Sequence, residues 1–403
     1  MKRFWKSKKE NDLMPPAPQN EYYESVSEKF GLVQVVLYLS LLAFVVLSFL
    51  QNTNLITYQN LYHFIKDLNA SAETVDVWNT DQVSYPTDEK QSFTLYRHGL
   101  AVAGNQSVTI FTPTGRQTVS ETVSYRNPVA VGHGKYLLVY DLGGTAYSLY
   151  NAYTQIHTGT TERPISGGAI SDSGMYALIS SSAEYTSVVS LYSSNFALLN
   201  VYSKNGYVMD VSIDPNGRQI ALLTSVMSGG EFHTELMLCE ARASVAKAVV
   251  NVADSLALSC QFTSGNVINI LCSGGFYSFG ADGQAIFAYD FEGDTVACFS
   301  ESSDGTAICL KTLGASEKKH ILLFDRQGAL TYNGYASQQV NAIAHHASTV
   351  YLQTAYGVTR LDTQTGSTSF ITCQTEQKQM LAVSAKEILL CSHQQAVYMN
   401  FES

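Results

Sequence analysis

From Phe93 to Leu390, apolar and polar positions alternate in short runs, and each run ends in a small polar turn. Clear copies are Ala169-Ile-Ser-Asp-Ser-Gly-Met-Tyr-Ala-Leu-Ile179, Val211-Ser-Ile-Asp-Pro-Asn-Gly-Arg-Gln-Ile-Ala-Leu222 and the stretch from Val296 to Leu310 around Ser302-Ser-Asp-Gly305. A period of two predicts strands, and Asp, Asn or Ser followed by Gly predicts tight turns, because Gly tolerates positive φ and Asp or Asn bonds to its own backbone. The first turns centre near Gly99, Gly134, Gly174, Gly217, Gly265, Gly305, Ser348 and Lys386, spaced by 35, 40, 43, 48, 40, 43 and 38 residues. A second turn recurs later in the unit, as Thr112-Pro-Thr-Gly115, Ala281-Asp-Gly283, Asp325-Arg-Gln-Gly328 and Asp362-Thr-Gln-Thr-Gly366. Two hairpins make four strands. Four-stranded units of about 40 residues are the blades of a β-propeller.

The sequence therefore predicts an all-β protein, an eight-bladed propeller of four-stranded antiparallel blades. Seven blades is the alternative, if Arg97-His-Gly-Leu100 does not form a hairpin. The last unit reaches the C-terminus with strands only around Met380–Val383, Ile388–Cys391 and Ala396–Phe401. Closing a ring hides strand edges that would otherwise pair with other chains. Thr74-Val-Asp-Val-Trp78 has the right alternation, so the segment near Val75–Trp78 is expected as the outer strand of the last blade.

The hydropathy pattern changes sharply at Gly31 to Leu50. These twenty residues hold no charge and only Gln34, Tyr38, Ser40 and Ser48 as polar interruptions. A helix of that length spans a bilayer core, and no small-residue cleavage site follows it, so an uncleaved transmembrane anchor is expected. Lys2, Arg3, Lys6, Lys8, Lys9 and Lys29 precede it, while Gln51 to Ile65 has no Lys or Arg. The positive-inside rule then places the N-terminus in the cytoplasm and the propeller outside, as a single-pass cell-membrane protein. Four regions follow: a tail at 1–30, the helix at 31–50, a membrane-proximal helix or linker at 51–72, and the propeller at 73–403. Within the third, Leu55, Tyr58, Leu61, Tyr62, Ile65 and Leu68 recur at near-helical spacing. Such a helix fits either the membrane interface or the underside of the propeller.

Composition narrows the function. Apolar residues make up 45% of the chain, enough for a sizeable core, and charged residues only 14%. From Gln51 onward there are 18 Lys and Arg against 29 Asp and Glu, a net −11. No nucleic-acid partner is expected of so acidic a body. The seven cysteines, Cys239, Cys260, Cys272, Cys298, Cys309, Cys373 and Cys391, show no regular spacing and read as small core residues rather than a disulfide framework. Cys298 and Cys309 lie equally far from the Ser302–Gly305 turn and should face each other across a hairpin, as two packed thiols in preference to a disulfide.

Motifs of chemistry are scarce. The nine histidines form no His-Glu-x-x-His pattern, no Cys-x-x-Cys occurs, and the adjacent His345 and His346 should point to opposite faces of a strand, at a turn on the blade rim. Asp214, Asp282 and Asp304 are explained as turn formers, and Ser273-Gly-Gly-Phe-Tyr-Ser-Phe-Gly280 lacks the Lys and helix of a phosphate loop. The innermost strands read as small, apolar and Ser/Thr, without the charges a cofactor-binding channel needs. The sequence assigns no catalytic, cofactor-binding or metal-ligating residue and no cofactor.

Ser171-Asp-Ser-Gly174, Asp214-Pro-Asn-Gly217 and Ser302-Ser-Asp-Gly305 resemble the turns of WD40-like and TolB-like propellers, and the second turns resemble those of PQQ-like repeats. WD40 Trp-Asp signatures are absent. The whole arrangement is similar to a family of single-pass, membrane-anchored propeller proteins from Firmicutes. That resemblance implies a fold and an address in the bacterial cell envelope, and no catalytic residue. The expected role is a non-enzymatic scaffold whose loops bind a protein or an envelope polymer, with residues 31–50 in the lipid bilayer. An extracytoplasmic propeller enzyme (hydrolase, lyase or quinone-dependent dehydrogenase) and a transmembrane sensor signalling through the tail are the alternatives.

Overall fold

The computed structural model describes residues 30, 33–44 and 80–401, apart from positions 244, 264–265, 313, 315–317, 337 and 374–376. The chain divides into two compact units, Met1–Ala72 and Glu73–Ser403. In the first, residues 33–44 are helical and apolar apart from Gln34, Tyr38 and Ser40, whose Oγ donates to the Leu37 carbonyl at 2.8 Å. Among the described residues no helix is long and apolar enough to cross a membrane. The remainder of the predicted span, the tail, the 54–68 helix and the Val75–Trp78 strand lie outside the described residues.

The second unit is an eight-bladed propeller of four-stranded antiparallel sheets. Blades 1 to 7 run Gln91–Thr122, Pro128–Thr160, Gly167–Lys204, Tyr207–Ala253, Ala257–Asp290, Thr295–Ala336 and Ala342–Thr372. Blade 8 combines Gln379–Asn400 with Gln82–Ser84. In each blade the first strand is innermost. These inner strands meet in succession around the channel, and that of blade 8, Gln379–Ala382, returns to that of blade 1, Gln91–Tyr96. Backbone contact is sparsest between the inner strands of blades 5 and 6, Ala257–Phe262 and Thr295–Ser302.

Both faces of every sheet are covered by neighbouring blades, and that decides the hydrophobic pattern. Second strands are buried almost continuously, as in Leu137–Tyr140, Ile220–Leu223 and Ala307–Leu310. Outer strands reach solvent and alternate, as in Ala246–Ala253 and Leu330–Ala336. Buried clusters fill the junctions between blades; one joins blades 3 and 4 through Ile179, Leu191, Val211 and Leu222, another joins blades 6 and 7 through Cys309, Ile321, Ile343 and Val350.

The turns behave as their residues require. Asp214 accepts from the amides of Asn216 and Arg218, and Gly217 takes φ 67° with its N–H on the Asp214 carbonyl at 2.7 Å. Arg97 and His98 take φ 50° and 62° between Tyr96 and Gly99, which pair directly. Two successive positive φ values make a type I′ hairpin turn. The weakest repeat is thus a true hairpin, and the count is eight.

Ring closure uses strands from both ends of this unit, but the closing strand differs from the expected one. Gln82, Val83 and Ser84 pair with Val397, Ala396 and Gln395. Tyr85 anchors the junction, donating its N–H to the Gln394 carbonyl at 3.0 Å and its hydroxyl to the Ser392 carbonyl at 2.9 Å. Only Val83 of the three strand residues is buried, so the segment carries no alternation for a sequence reading to find.

Candidate functional site

Inner strands have no further strand on the channel side, so their edge groups need other partners. Ser92 of blade 1 accepts the Ala130 amide at 3.1 Å, and Ser212 of blade 4 accepts the Phe262 amide at 2.9 Å. At the same edge, Asp210 Oδ2 accepts the Cys260 amide at 2.8 Å, while its Oδ1 accepts from Val211 at 2.8 Å. From the other side of blade 5, Glu301 Oε1 accepts the Ser259 hydroxyl at 2.7 Å. Two carboxylates therefore flank the inner strand of blade 5. This corrects the expectation of an uncharged inner wall.

Their surroundings set their acidity. Burial raises Glu301 to about 7, with the nearby Asp210 charge adding and the Ser259 hydroxyl offsetting. Burial likewise raises Asp210 to about 6, against the two amides it accepts. Both residues are half-buried. Phe299, two residues before Glu301 and on the same sheet face, is 39% exposed although it belongs to an inner strand. Thr306, which pairs with Glu301 across the hairpin, is fully buried, and its Oγ1 has no hydrogen-bond partner. Gln261 Oε1, on the same face of its strand as Ser259, is also buried without a partner.

A second feature is the tip of blade 4. Its middle strands, Gln219–Ser228 and Glu231–Glu240, are ten residues each and outrun both neighbours, whose pairing stops at Ser225 and Thr234. Gly229 and Gly230, at φ 63° and 91°, turn the tip. Met227 pairs with Phe232, and Tyr207 shares their face; all three side chains are exposed. Tyr185 and Tyr356, in the corresponding connections of blades 3 and 7, are exposed on the same side of the ring. His233 bonds Asp254 at 2.7 Å and Lys204 bonds Glu235 at 2.8 Å, so the base of the hairpin is held while the apolar tip stays open. On the other side of the ring, Thr80 lies against the Gly115 turn.

The residues singled out by sequence resolve as follows. Cys298 and Cys309 are register partners, and all seven cysteines are free thiols. His345 and His346 end the inner strand of blade 7, and His346 pairs with Thr349 across the Ala347-Ser348 turn. His345 is buried between Ser302 Oγ (2.9 Å to Nε2) and Ser300 Oγ (3.3 Å to Nδ1), and burial lowers it to about 4. His346 faces Asp304 at 4.0 Å. Asp282 and Asp304 each hold a turn, with Asp282 Oδ1 on the Gln284 amide and Asp304 Oδ2 on that of Ala347. Ser273-Gly274 joins two strands. Among the described residues, no group of three or more His, Cys, Asp and Glu is placed to hold a metal ion. Sequence reading missed Asp210 and Glu301. Their only signal was a lone acid on each of two inner strands.

The sequence pattern of one protein family matches residues 71–400, the whole ring. The chain belongs to DUF5711, a family of unknown function. No curated protein matches this DUF5711 chain. Among solved structures it is similar to BamB from Moraxella catarrhalis, at 11% identity and a TM-score of 0.52, over 79% of this chain and 98% of that one. The propeller domain of Cps50 (Swd1) from Myceliophteria thermophila gives 12% and 0.48, over 72% and 98%. Hydrazine synthase from Kuenenia stuttgartiensis gives 11% and 0.48, over 74% and 99%. Likeness at such identity shows the propeller fold alone.

Proposed function

We propose that this DUF5711 protein is a membrane-anchored, extracytoplasmic scaffold that binds a protein through the side of the propeller carrying the long blade-4 hairpin. The observation that carries the reading is the exposed Met227–Phe232 pair, with Tyr207 beside it on a tip that leaves the sheet. Aromatic residues and Met are enriched in interface cores, and an apolar cross-strand pair standing in water has no structural role for its own blade. Tyr185 and Tyr356 extend the same side. The anchoring part of the reading is supported by the uncharged run from Gly31 to Leu50 and by the Lys and Arg before it. The reading assigns no catalysis.

Photo-crosslinking from position 227 in intact cells tests it, with position 370, an exposed Phe of the blade-7 outer strand, as control. A discrete adduct from 227, absent from 370 and lost when Phe232→Ser and Tyr207→Ser are combined, is expected. Identical adduct patterns from both positions would overturn the proposal. Labelling of introduced cysteines from outside the cell tests the topology; position 227 should react and position 8 should not.

A further inference from the structure

We propose that the channel wall between blades 4, 5 and 6 binds a primary ammonium group carried on an apolar chain, with Asp210 and Glu301 taking the charge and Phe299 the adjoining methylenes. Three observations converge there. Glu301 accepts a single hydrogen bond, from Ser259, although a carboxylate has about four acceptor positions. Thr306 Oγ1 and Gln261 Oε1 are buried without partners on the two facing sheets, next to Glu301 and Ser259 respectively. Phe299 presents its ring to water on the face that bears Glu301.

The chemistry distinguishes an ammonium from the alternatives. It donates three hydrogen bonds and accepts none, so it matches a wall whose open groups are carboxylate, amide carbonyl and hydroxyl oxygens. An exposed aromatic face beside Glu301 favours an organic cation, through cation–π attraction and apolar contact, over a bare metal ion that needs oxygen on every side. Edge-capping alone does not explain the acids. Ser212, two residues after Asp210, caps the next edge amide with a hydroxyl and avoids the cost of burying a charge. Asp210 is the charged group acting on Glu301; Ser259, Gln261 and Thr306 are neutral, burial pushes the Cys260 thiol and the Tyr140 hydroxyl up so that both stay protonated at pH 8.5, and His345 lies on the far face of the blade-6 sheet against Ser300 and Ser302.

Ligand-observed NMR titration of the full chain in detergent provides the test, at pH 8.5 with spermidine, Nα-acetyl-lysinamide, neutral N-butylacetamide and calcium chloride. Saturable binding of the two amines and none of the neutral amide is expected. Tighter binding of spermidine marks a free polyamine as the source, and tighter binding of the lysine derivative marks a side chain of a partner. Glu301→Gln should weaken either amine about 10- to 100-fold, as loss of a charge-assisted hydrogen bond implies. Phe299→Leu should weaken it roughly 2- to 30-fold. Should a variant fail to fold, the native chain decides: its affinity must fall about 10-fold or more between pH 8.5 and pH 5, where the carboxyls become protonated while the amine keeps its charge. Equal binding of the neutral amide, a response to calcium alone, affinity unchanged by Glu301→Gln, or affinity unchanged by pH each overturns the proposal.

Discussion

Replacing Glu301 with Gln should make the propeller more stable at pH 8 and leave it unchanged in mild acid. In the unfolded chain this carboxyl ionises near 4.5, and in the ring near 7, mainly because burial penalises the charge. Between those values the native state binds the extra proton, so its stability is fully present below 4.5 and is lost as pH rises through 7. The difference, 7 − 4.5, is 2.5 units, or about 3 kcal/mol at about 1.36 kcal/mol per unit. Water reaching the channel lowers the expected loss to about 2–3 kcal/mol. Glutamine keeps an oxygen for the Ser259 hydroxyl and carries no charge. With an unfolding entropy of about 2.1 cal/mol/K per residue over the ring, the gain corresponds to about 4 °C in Tm. Thermal unfolding of the full chain and of Glu301→Gln at half-unit steps from pH 4.5 to 8.5 gives the difference curve directly. His345 acts in the opposite sense, since its depressed value adds stability as pH rises from about 4 towards 6.5, but it is common to both proteins and cancels. A constant Tm difference across this range, or a variant less stable at pH 8, would refute a buried and largely uncompensated charge at Glu301.

Two further outcomes test the ring itself. Val83→Ala removes a side chain packed against Phe93, Leu100 and Leu389 at the closing junction, and should cost about 2 kcal/mol, read as a lower Tm and as faster proteolysis between blades 8 and 1; a change below about 0.5 kcal/mol would contradict closure by Gln82–Ser84. Mild oxidation of the full chain should join the peptides of Cys298 and Cys309, whose direct pairing across the blade-6 hairpin brings their Cβ atoms within disulfide reach; alkylation of both thiols after oxidation would count against the register.

What could be read from the sequence was whatever is local. A turn is decided by four residues, so Asp214-Pro-Asn-Gly217 and Asp325-Arg-Gln-Gly328 announced hairpins, and the spacing of the hairpins announced blades. Even Arg97-His98, which lacks a Gly inside the turn, held its place because Leu95 and Leu100 alternate correctly around it. Closure was legible as a need and misplaced as a segment. One buried Val cannot be told from a loop residue, whereas Val75 and Val77 alternate cleanly. The partner of Val83 is Ala396, over three hundred positions away, and nothing near Val83 encodes that pairing.

The channel acids were illegible for a related reason. On a strand, Asp210 and Glu301 each look like a polar residue on a solvated face; only the convergence of three blades puts one against the Cys260 amide and the other against Ser259. Their burial is a tertiary effect with no signature in a window of ten residues. The same convergence argues against a purely structural role. Structural capping at this wall is carried out elsewhere by Ser92 and Ser212, neutral groups with no desolvation cost to recover. A carboxylate in such a place is destabilising until a cation shares it, and the exposed Phe299 on the face that bears Glu301 favours an organic cation. The wall is therefore expected to gain stability from its ligand. The rise in Tm on adding spermidine should be larger at pH 8.5 than at pH 5, and at a fixed spermidine concentration it should be much smaller in Glu301→Gln although that variant starts from the higher Tm.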